Sequence, residues 1–184
     1  MISKNPLPRV RRKTLPSYKK IWSSPWVSLV QVPGKKGDRP YHGLLQRPYV
    51  GIVPILPGER TIVVRQYRPI LRRHTWEFPA GTVDPGETPL QSARKELREE
   101  TGLVGEKWIR LGSFFPDTGR LAMISYGFAA TCRQFPQRKE WKIDGFLVRV
   151  VAVRELEQMM RKGTFRHQLH LGLWTAWKLI RKKV

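Results

Sequence analysis

The sequence predicts an α/β fold with a mixed sheet, and three observations support this prediction. Runs of β-branched and aromatic residues are bounded by proline and glycine, which is typical of strands. A central segment, 88–102, has apolar residues at helical spacing and a cap signal at each end. Two segments near the C-terminus, 155–161 and 166–181, have the same helical spacing. In chain order, predicted strands therefore both precede and follow the central helix, and two further helices come near the end.

Length and composition exclude several classes of protein. The chain has 184 residues, which suits one domain, or one domain with a small appendage. Hydrophobic residues make up 40% and charged residues 27%, so we expect a folded protein rather than a disordered or coiled-coil chain. The longest apolar run, 49–56, is far shorter than the roughly 20 residues of a membrane-spanning helix. The single cysteine, Cys132, excludes an internal disulfide. We expect the protein to be cytoplasmic.

Net charge is the one unusual feature of the composition. The 35 lysines and arginines against 14 acidic residues give a net charge of +21, which favours contact with phosphate groups. Cations crowd residues 1–20, which we interpret as an irregular basic arm. No RNA- or DNA-binding motif accompanies these runs, so a solvated basic surface is the main interpretation. Nucleic acid is the alternative partner.

The strands are predicted in chain order from composition and boundaries. Residues 22–32 alternate well enough for a first strand, which ends at a turn-rich segment beginning with Pro33. Residues 49–56 and 61–67 are β-branched runs separated by a proline-glycine turn, so we expect them to pair as neighbours. Further strands are predicted over 108–115, 124–130 and 146–153.

The central helix has clear signals at both ends. Thr88 suits the N-cap, Pro89 suits the first helical position, and Gln91 completes a capping box. Gly102 suits the left-handed cap that ends a helix. We therefore expect a helix between Thr88 and Gly102.

Three carboxylates share one side of this helix. At 100° per residue, Glu96, Glu99 and Glu100 occupy one arc of about 100° at the edge of the apolar stripe. Like charges at these spacings repel unless a cation offsets them, and carboxylate oxygens suit magnesium or manganese. The alternative is a solvated helix face balanced by Lys95 and Arg98.

The frame around the helix favours the metal-binding interpretation. Its spacing resembles the Nudix box at every position but one, and the matching residues are Gly81, Glu87, Glu96, Leu97, Glu99, Glu100, Gly102 and Leu103. The exception is Lys95, where the family carries an arginine that helps to fix the neighbouring carboxylates. An ammonium group lacks the two-pronged contact of a guanidinium, so either a tolerated substitution or a weakened activity is expected.

The segments 66–69, 76–81 and 83–87 resemble one branch of the Nudix family, the ADP-ribose and nucleoside diphosphate sugar pyrophosphatases. This resemblance implies an α/β/α sandwich with an N-terminal antiparallel strand region. It also implies a homodimer to which the N-terminal strands contribute. The expected organisation is a basic arm over 1–20, dimer-forming strands over 21–48 and a Nudix hydrolase domain over 49–184.

The same resemblance implies a set of metal ligands. The main-chain carbonyl of Ala80 and the carboxylates of Glu96 and Glu100 would hold Mg²⁺, with Mn²⁺ as the alternative ion. Glu99 would bind a further metal or orient the other ligands.

The general base is expected in the loop 133–145, because relatives in this branch often carry it on a mobile loop before the last strand. Glu140 is favoured over Asp144 because it lies further from the strand 146–153. Glu99 is a further candidate catalytic residue, through the metal-binding or orienting role given above. An exposed loop charge is the alternative interpretation for Glu140 and Asp144.

Substrate contacts are predicted at four residues. Arg68 follows a strand and suits a phosphate clamp. Trp22 or Trp26 would stack on the base, with core packing as the alternative. Gly119 lies in a proline and glycine loop that resembles one found downstream of the box.

Two histidines lie close together in the sequence near the C-terminus. His167 and His170 are spaced for one helix face and could suggest zinc. No third ligand is matched in the sequence, so surface or interface residues are the favoured interpretation.

The expected function is magnesium-dependent hydrolysis of the pyrophosphate of ADP-ribose or a nucleoside diphosphate sugar. The products would be a nucleoside monophosphate and a sugar phosphate. One alternative is an RNA 5′-pyrophosphohydrolase, which the net charge of +21 favours. Another is a catalytically weak Nudix domain, disabled at Lys95, that binds nucleotides or RNA.

Overall fold

The computed structural model describes residues 18–35 and 37–181. The chain divides into two compact units. Among the described residues, the smaller unit comprises 18–35, 37–46 and Thr118–Ala122, and the larger comprises Arg47–Asp117 and 123–181. Most of the predicted basic arm lies outside the described residues. Lys19 and Lys20, which were assigned to that arm, begin the first strand.

The secondary structure alternates strands with three helices in the part of the chain that the structure describes. In chain order the elements are β1 (Lys19–Ser23), β2 (Val27–Val32), β3 (Tyr41–Gln46), β4 (Tyr49–Leu56), β5 (Arg60–Arg68), β6 (Arg73–Glu77), β7 (Ala80–Thr82), α1 (Pro89–Thr101), β8 (Lys107–Phe114), β9 (Leu121–Ala122), β10 (Ser125–Thr131), β11 (Glu140–Ile143), β12 (Phe146–Ala152), α2 (Val153–Arg161) and α3 (Gln168–Arg181).

The smaller unit is a four-stranded sheet in the order β1-β2-β3-β9. Its first hairpin corrects the prediction of one strand over 22–32. Ser24 Oγ accepts hydrogen bonds from the main-chain N–H groups of Trp26 and Val27, both at 3.2 Å. Such a side-chain bond competes with strand pairing, and Pro25 between them lacks an N–H group. The chain therefore turns between β1 and β2.

The larger unit contains a mixed sheet in the order β11-β12-β5-β4-β10-β8. Strands β4 and β10 are parallel, and the other neighbours on this path are antiparallel. The predicted pairing of β4 with β5 is confirmed only beside their connecting turn, at Ile55 with Thr61 and Leu56 with Arg60. Further along, β5 pairs with β6 and β4 pairs with β7. The two residues between β6 and β7, Phe78 and Pro79, therefore lie where β4 and β5 have separated.

Helices cover both faces of this sheet. Ala93 and Leu97 of α1 pack with sheet residues such as Val64 and Val148 in one core cluster. Leu156 of α2 and Leu173 of α3 pack with other sheet residues in a second cluster. This arrangement confirms the predicted α/β/α sandwich. Cys132 is buried in the first cluster.

The ends of α1 agree with the sequence. Thr88 is the N-cap, and both hydrogen bonds of the capping box with Gln91 are formed. Gly102 has φ 74° and donates its N–H to the Arg98 carbonyl, which is the left-handed cap that glycine favours. Among the described residues, no helix has the length and apolar character needed to span a membrane.

Candidate active site

A carboxylate of α1 lies directly against the backbone of β7. Gly81 has no side chain, and a Cβ built there would be 1.9 Å from Glu96 Oε1. A side chain at position 81 would therefore displace the Glu96 carboxylate. This close approach explains why the box begins with glycine.

A second carboxylate of α1 is held by the neighbouring residue. Ala80 donates its N–H to Glu100 Oε2 at 3.0 Å, and Glu100 is only 5% exposed. The structure thus brings Ala80, Glu96 and Glu100 together at one end of β7. Their roles as metal ligands stay predictions.

Burial sets the electrostatics of these two carboxylates. Desolvation raises the pKa of Glu100 to about 8, against the lowering effect of the Ala80 N–H bond, and repulsion from Glu96 adds to the rise. Desolvation, followed by repulsion from Glu99, raises the pKa of Glu96 to about 7. Buried like charges of this kind are stabilised by a bound cation. The donors are carboxylate oxygens, to which the family resemblance adds the Ala80 carbonyl, and that chemistry fits Mg²⁺ or Mn²⁺.

Glu99 and Lys95 lie on the exposed part of α1. Glu99 is exposed, so it differs from half-buried Glu96 and buried Glu100. Lys95 Nζ donates to Asp84 Oδ2 at 2.6 Å, and both side chains are about 40% exposed (42% and 39%). This contact lowers the pKa of Asp84. The cation in the exceptional box position therefore binds the turn before the helix, a contact that the sequence analysis missed.

Arg68 is held by a buried carboxylate. Its Nε donates to Glu77 Oε1 at 2.8 Å and its Nη2 donates to Oε2 at 2.5 Å, so the pair is bidentate. Thr75 Oγ1 also donates to Glu77. Burial alone would raise the pKa of Glu77, but the Arg68 and Thr75 hydrogen bonds lower it. The predicted phosphate clamp is thus oriented by Glu77, which lies in the segment 76–81 but was given no role of its own.

The two histidines of the C-terminal segment lie beside Glu77. His167 Nε2 is 3.9 Å from Glu77 Oε2, and the rings of His167 and His170 stack with centroids 4.0 Å apart. The expectation of surface or interface residues is wrong for His170, which is fully buried. Glu77, His167 and His170 have potential ligand atoms within 4.8 Å of one another.

The loop assigned to the general base is partly a strand. Glu140 begins β11, where it is the register partner of Arg149 and forms an ion pair with it. The mobile-loop placement of Glu140 is therefore corrected, because strand pairing and the ion pair hold it in place. Asp144 lies in the tight turn after β11 with φ 43°. The catalytic roles of Glu140 and Asp144 stay predictions.

The remaining predicted substrate residues belong to the smaller unit. Trp22 and Trp26 are 57% and 66% exposed, so core packing is excluded for both indole rings. Gly119 lies in the segment Thr118–Ala122 of the same unit. The roles of these three residues in binding substrate stay predictions.

Comparisons with known proteins agree on one family. A family model described as the NUDIX domain matches residues 45–169. An ADP-ribose pyrophosphatase of Bacillus subtilis (strain 168) is 30% identical over 106 residues, which are 57% of this chain and 56% of that protein. An ADP-sugar pyrophosphatase of Mus musculus is 43% identical over 61 residues, 31% of this chain and 28% of that protein. The matched segments therefore span about half the length of these curated relatives, or less.

A solved structure gives the same result for the fold. The structure described as an ADP compounds hydrolase has a TM-score of 0.72 and covers 91% of this chain, while 92% of that chain is covered. Sequence identity is 18%, so this likeness supports the fold alone.

Proposed function

The chain belongs to the Nudix family, and on that premise we propose that it hydrolyses the pyrophosphate of ADP-ribose or a nucleoside diphosphate sugar. The observation that carries the proposal is a pair of carboxylates, half-buried Glu96 and buried Glu100, set against Ala80 and Gly81 at the end of β7. The pyrophosphatase relatives support the substrate class.

Ala80, Glu96 and Glu100 would hold the divalent cation, Mg²⁺ or Mn²⁺. When bound, the cation supplies positive charge beside the bridged phosphates and increases the acidity of an attacking water. Half-buried Glu96 is fixed by close packing against Gly81, and buried Glu100 is fixed by the Ala80 N–H bond. This rigidity favours binding in one geometry, which is the usual requirement for phosphoryl transfer.

Arg68 would bind a phosphate oxygen of the substrate. Its Nε and Nη2 groups are already used by Glu77, so the guanidinium is held at a fixed angle with Nη1 still able to donate. A guanidinium fixed in this way loses less side-chain entropy when it binds phosphate.

In the reaction, water attacks one phosphorus atom and the bond from that phosphorus to the bridging oxygen breaks. The products are a nucleoside monophosphate and a sugar phosphate, and a carboxylate accepts the proton of the water. Glu99 is the candidate base that we favour, because it is exposed and lies on α1 close enough to Glu96 to raise its pKa. Glu140 and Asp144 are the other candidates.

The exposed tryptophans Trp22 and Trp26 are proposed to stack on the base of the substrate, as aromatic side chains do with nucleobases. Tryptophan-to-alanine variants at these two positions should raise KM with little change in kcat.

We propose from the family resemblance that the protein is a homodimer. Light scattering after size-exclusion chromatography tests this proposal.

A second candidate substrate is the 5′-triphosphate end of RNA, and the charge distribution favours it. The exposed face of α1 carries Arg94, Lys95 and Arg98 around a cavity of about 670 Å³, and the whole chain has a net charge of +21. Phosphates along a strand would bind such a surface with strong salt dependence.

The test is product analysis with purified protein and Mg²⁺, using ADP-ribose, a panel of nucleotide sugars and 5′-triphosphorylated RNA in separate reactions. Release of a nucleoside monophosphate from the small substrates, and its loss in Glu100→Gln, would support the main proposal. Hydrolysis of RNA alone would favour the second candidate. No hydrolysis of any substrate would contradict both and favour a binding protein.

The same assay identifies the base. Glu99→Gln, Glu140→Gln and Asp144→Asn are compared at saturating Mg²⁺, since removal of the true base lowers kcat by about 10²–10⁴-fold. We expect Glu99→Gln to have the largest effect, and a larger loss in Glu140→Gln or Asp144→Asn would move the role to that residue.

A further inference from the structure

The backbone of Phe78, Pro79 and Ala80 is fixed from two helices. Proline has no N–H group, so this segment has only two main-chain donors. Ala80 donates to Glu100 Oε2 on α1 at 3.0 Å, and Phe78 donates to His170 Nδ1 on α3 at 3.0 Å. Phe78 and His170 are both fully buried, where an unpaired N–H group is costly.

A glycine on β4 allows α3 to approach this segment. Gly51 is the register partner of Ala80. A Cβ built at Gly51 would be 2.5 Å from Leu173 Cδ1 and 3.9 Å from His170 Cδ2. The absence of a side chain at position 51 therefore permits the packing of α3 that places the His170 ring beside the Phe78 backbone.

The Phe78 hydrogen bond also assigns the tautomer of His170. Because Nδ1 accepts a hydrogen bond, the neutral ring carries its own proton on Nε2. Burial, together with the charges of His167 and Arg68, lowers the pKa of His170 well below the usual value, so the ring stays neutral. In this tautomer Nε2 offers no lone pair to a metal.

The same reasoning explains the cluster of Glu77, His167 and His170. The Glu77 carboxylate already accepts hydrogen bonds from Arg68 and Thr75. With Nε2 of His170 protonated, the cluster lacks the three free ligands of a zinc site. His170 instead accepts the hydrogen bond of the Phe78 main-chain N–H group.

We infer that His170 is a positioning residue for the metal site, acting through the Phe78 N–H group. It fixes the start of the segment that ends in Ala80, whose N–H holds Glu100 and whose carbonyl is proposed to bind the cation. The inference rests on the proposed function for its effect on turnover. The hydrogen bond and its effect on cation binding can be measured without any substrate.

Two variants separate hydrogen bonding from packing. His170→Asn keeps an acceptor, because asparagine Oδ1 takes the place of Nδ1, but it is smaller than histidine. His170→Leu nearly keeps the volume and removes the acceptor. A packing role predicts that the leucine variant is closer to the wild type, and a positioning role predicts that the asparagine variant is closer.

The first measurement is Mn²⁺ binding by calorimetry in the absence of substrate. We expect His170→Leu to weaken binding by about 10-fold or more, as loss of a residue that orients a ligand usually does. His170→Asn should stay within about threefold of the wild type, since the acceptor is retained. If Phe78 is the link, its amide should exchange with solvent faster in the leucine variant than in the asparagine variant.

Several outcomes would overturn the inference. They are unchanged Mn²⁺ binding in His170→Leu, equal weakening in both variants, or better binding in the leucine variant than in the asparagine variant. If His170→Leu does not fold, His170→Gln replaces it, because a glutamine amide reaches the Nε2 position and leaves the Phe78 N–H without its acceptor. Loss of Mn²⁺ binding in a protein that hydrolyses none of the substrates would support His170 and contradict the proposed function.

Discussion

Two buried carboxylates lie on either side of the Phe78–Ala80 segment, and their electrostatics are opposite. Glu77 is 1% exposed and Glu100 is 5% exposed. Glu77 accepts from Arg68 and Thr75, and its pKa is lowered despite burial. Glu100 accepts only a main-chain bond among those described, from Ala80, and burial raises its pKa to about 8. The two carboxylates are buried to a similar extent, so burial alone does not set their roles. The Arg68 guanidinium neutralises Glu77, whereas Glu100 keeps an uncompensated charge that suits metal binding.

The largest effect on activity should come from replacing Glu100, which forms no ion pair among the described residues. Glu100→Gln keeps the size of the side chain and loses its charge. We expect kcat to fall about 10³-fold, since a bound divalent cation contributes several kcal/mol to the reaction. The fold should survive, because one of two repelling buried charges is removed. Kinetics and thermal unfolding are measured together, and a loss below about tenfold would contradict the metal-ligand role.

Replacing Glu77, the carboxylate paired with Arg68, should lower the free energy of unfolding more than replacing Glu100 does. Glu77→Gln leaves the Arg68 guanidinium without its bidentate partner, and a broken buried pair is strongly destabilising. Arg68 is 35% exposed, so the expected loss is reduced by solvent screening to about 2–3 kcal/mol in urea unfolding.

A double variant is the control for this experiment. Arg68→Leu with Glu77→Leu removes both charges together, so it should be more stable than Glu77→Gln alone. Equal or lower stability in the double variant would contradict the ion-pair explanation.

The pH dependence of stability should also differ between these two positions. In the metal-free protein, the pKa of Glu100 is about 8, above its ordinary value of 4.5. Between these values the folded state holds a proton that the unfolded state releases, so the free energy of unfolding falls as pH rises. Glu100→Gln should therefore gain several degrees in Tm relative to the wild type as the pH rises from about 5.5 to about 8.5.

Adding Mg²⁺ is the internal check on this result. The cation offsets the buried charges, so it should raise the wild-type Tm at pH 8.5 and leave Glu100→Gln nearly unchanged. A Tm difference between the variant and the wild type that does not change with pH would contradict the raised pKa.

The difference between these two regions also explains how far sequence reasoning reached. The position of Glu100 depends on α1, and the ends of α1 are set by residues close together in the chain. Thr88 and Gln91 form the cap, and Gly102 ends the helix. Local spacing therefore predicted the helix and the arc of carboxylates. The hydrogen bond from Phe78 to His170 joins residues 92 positions apart, and no local pattern predicts that contact.

Other errors have similar physical causes. Residues 22–32 alternate like one strand, but the side chain of Ser24 bonds to the backbone and turns the chain. The family resemblance places Glu140 in a loop, and the strand found there, β11, has only four residues and so a weak local signal. Its pairing with Arg149 on β12 holds it there, and such a tertiary contact outweighs a weak local signal.

The smallest effect is expected at Lys95, where the box departs from the family pattern. Its ammonium binds Asp84, and both side chains are well exposed (42% and 39%), so the contact should contribute little to stability. Lys95→Met should change Tm by no more than about 2 °C. Lys95→Arg should leave kcat/KM within about threefold, because Glu96 and Glu100 are held by Gly81 and Ala80 and do not require a guanidinium. Steady-state kinetics with both variants tests this. A gain of about 100-fold in Lys95→Arg would instead show that lysine weakens the enzyme, since restored two-pronged contacts to a carboxylate would then carry that much of the activity.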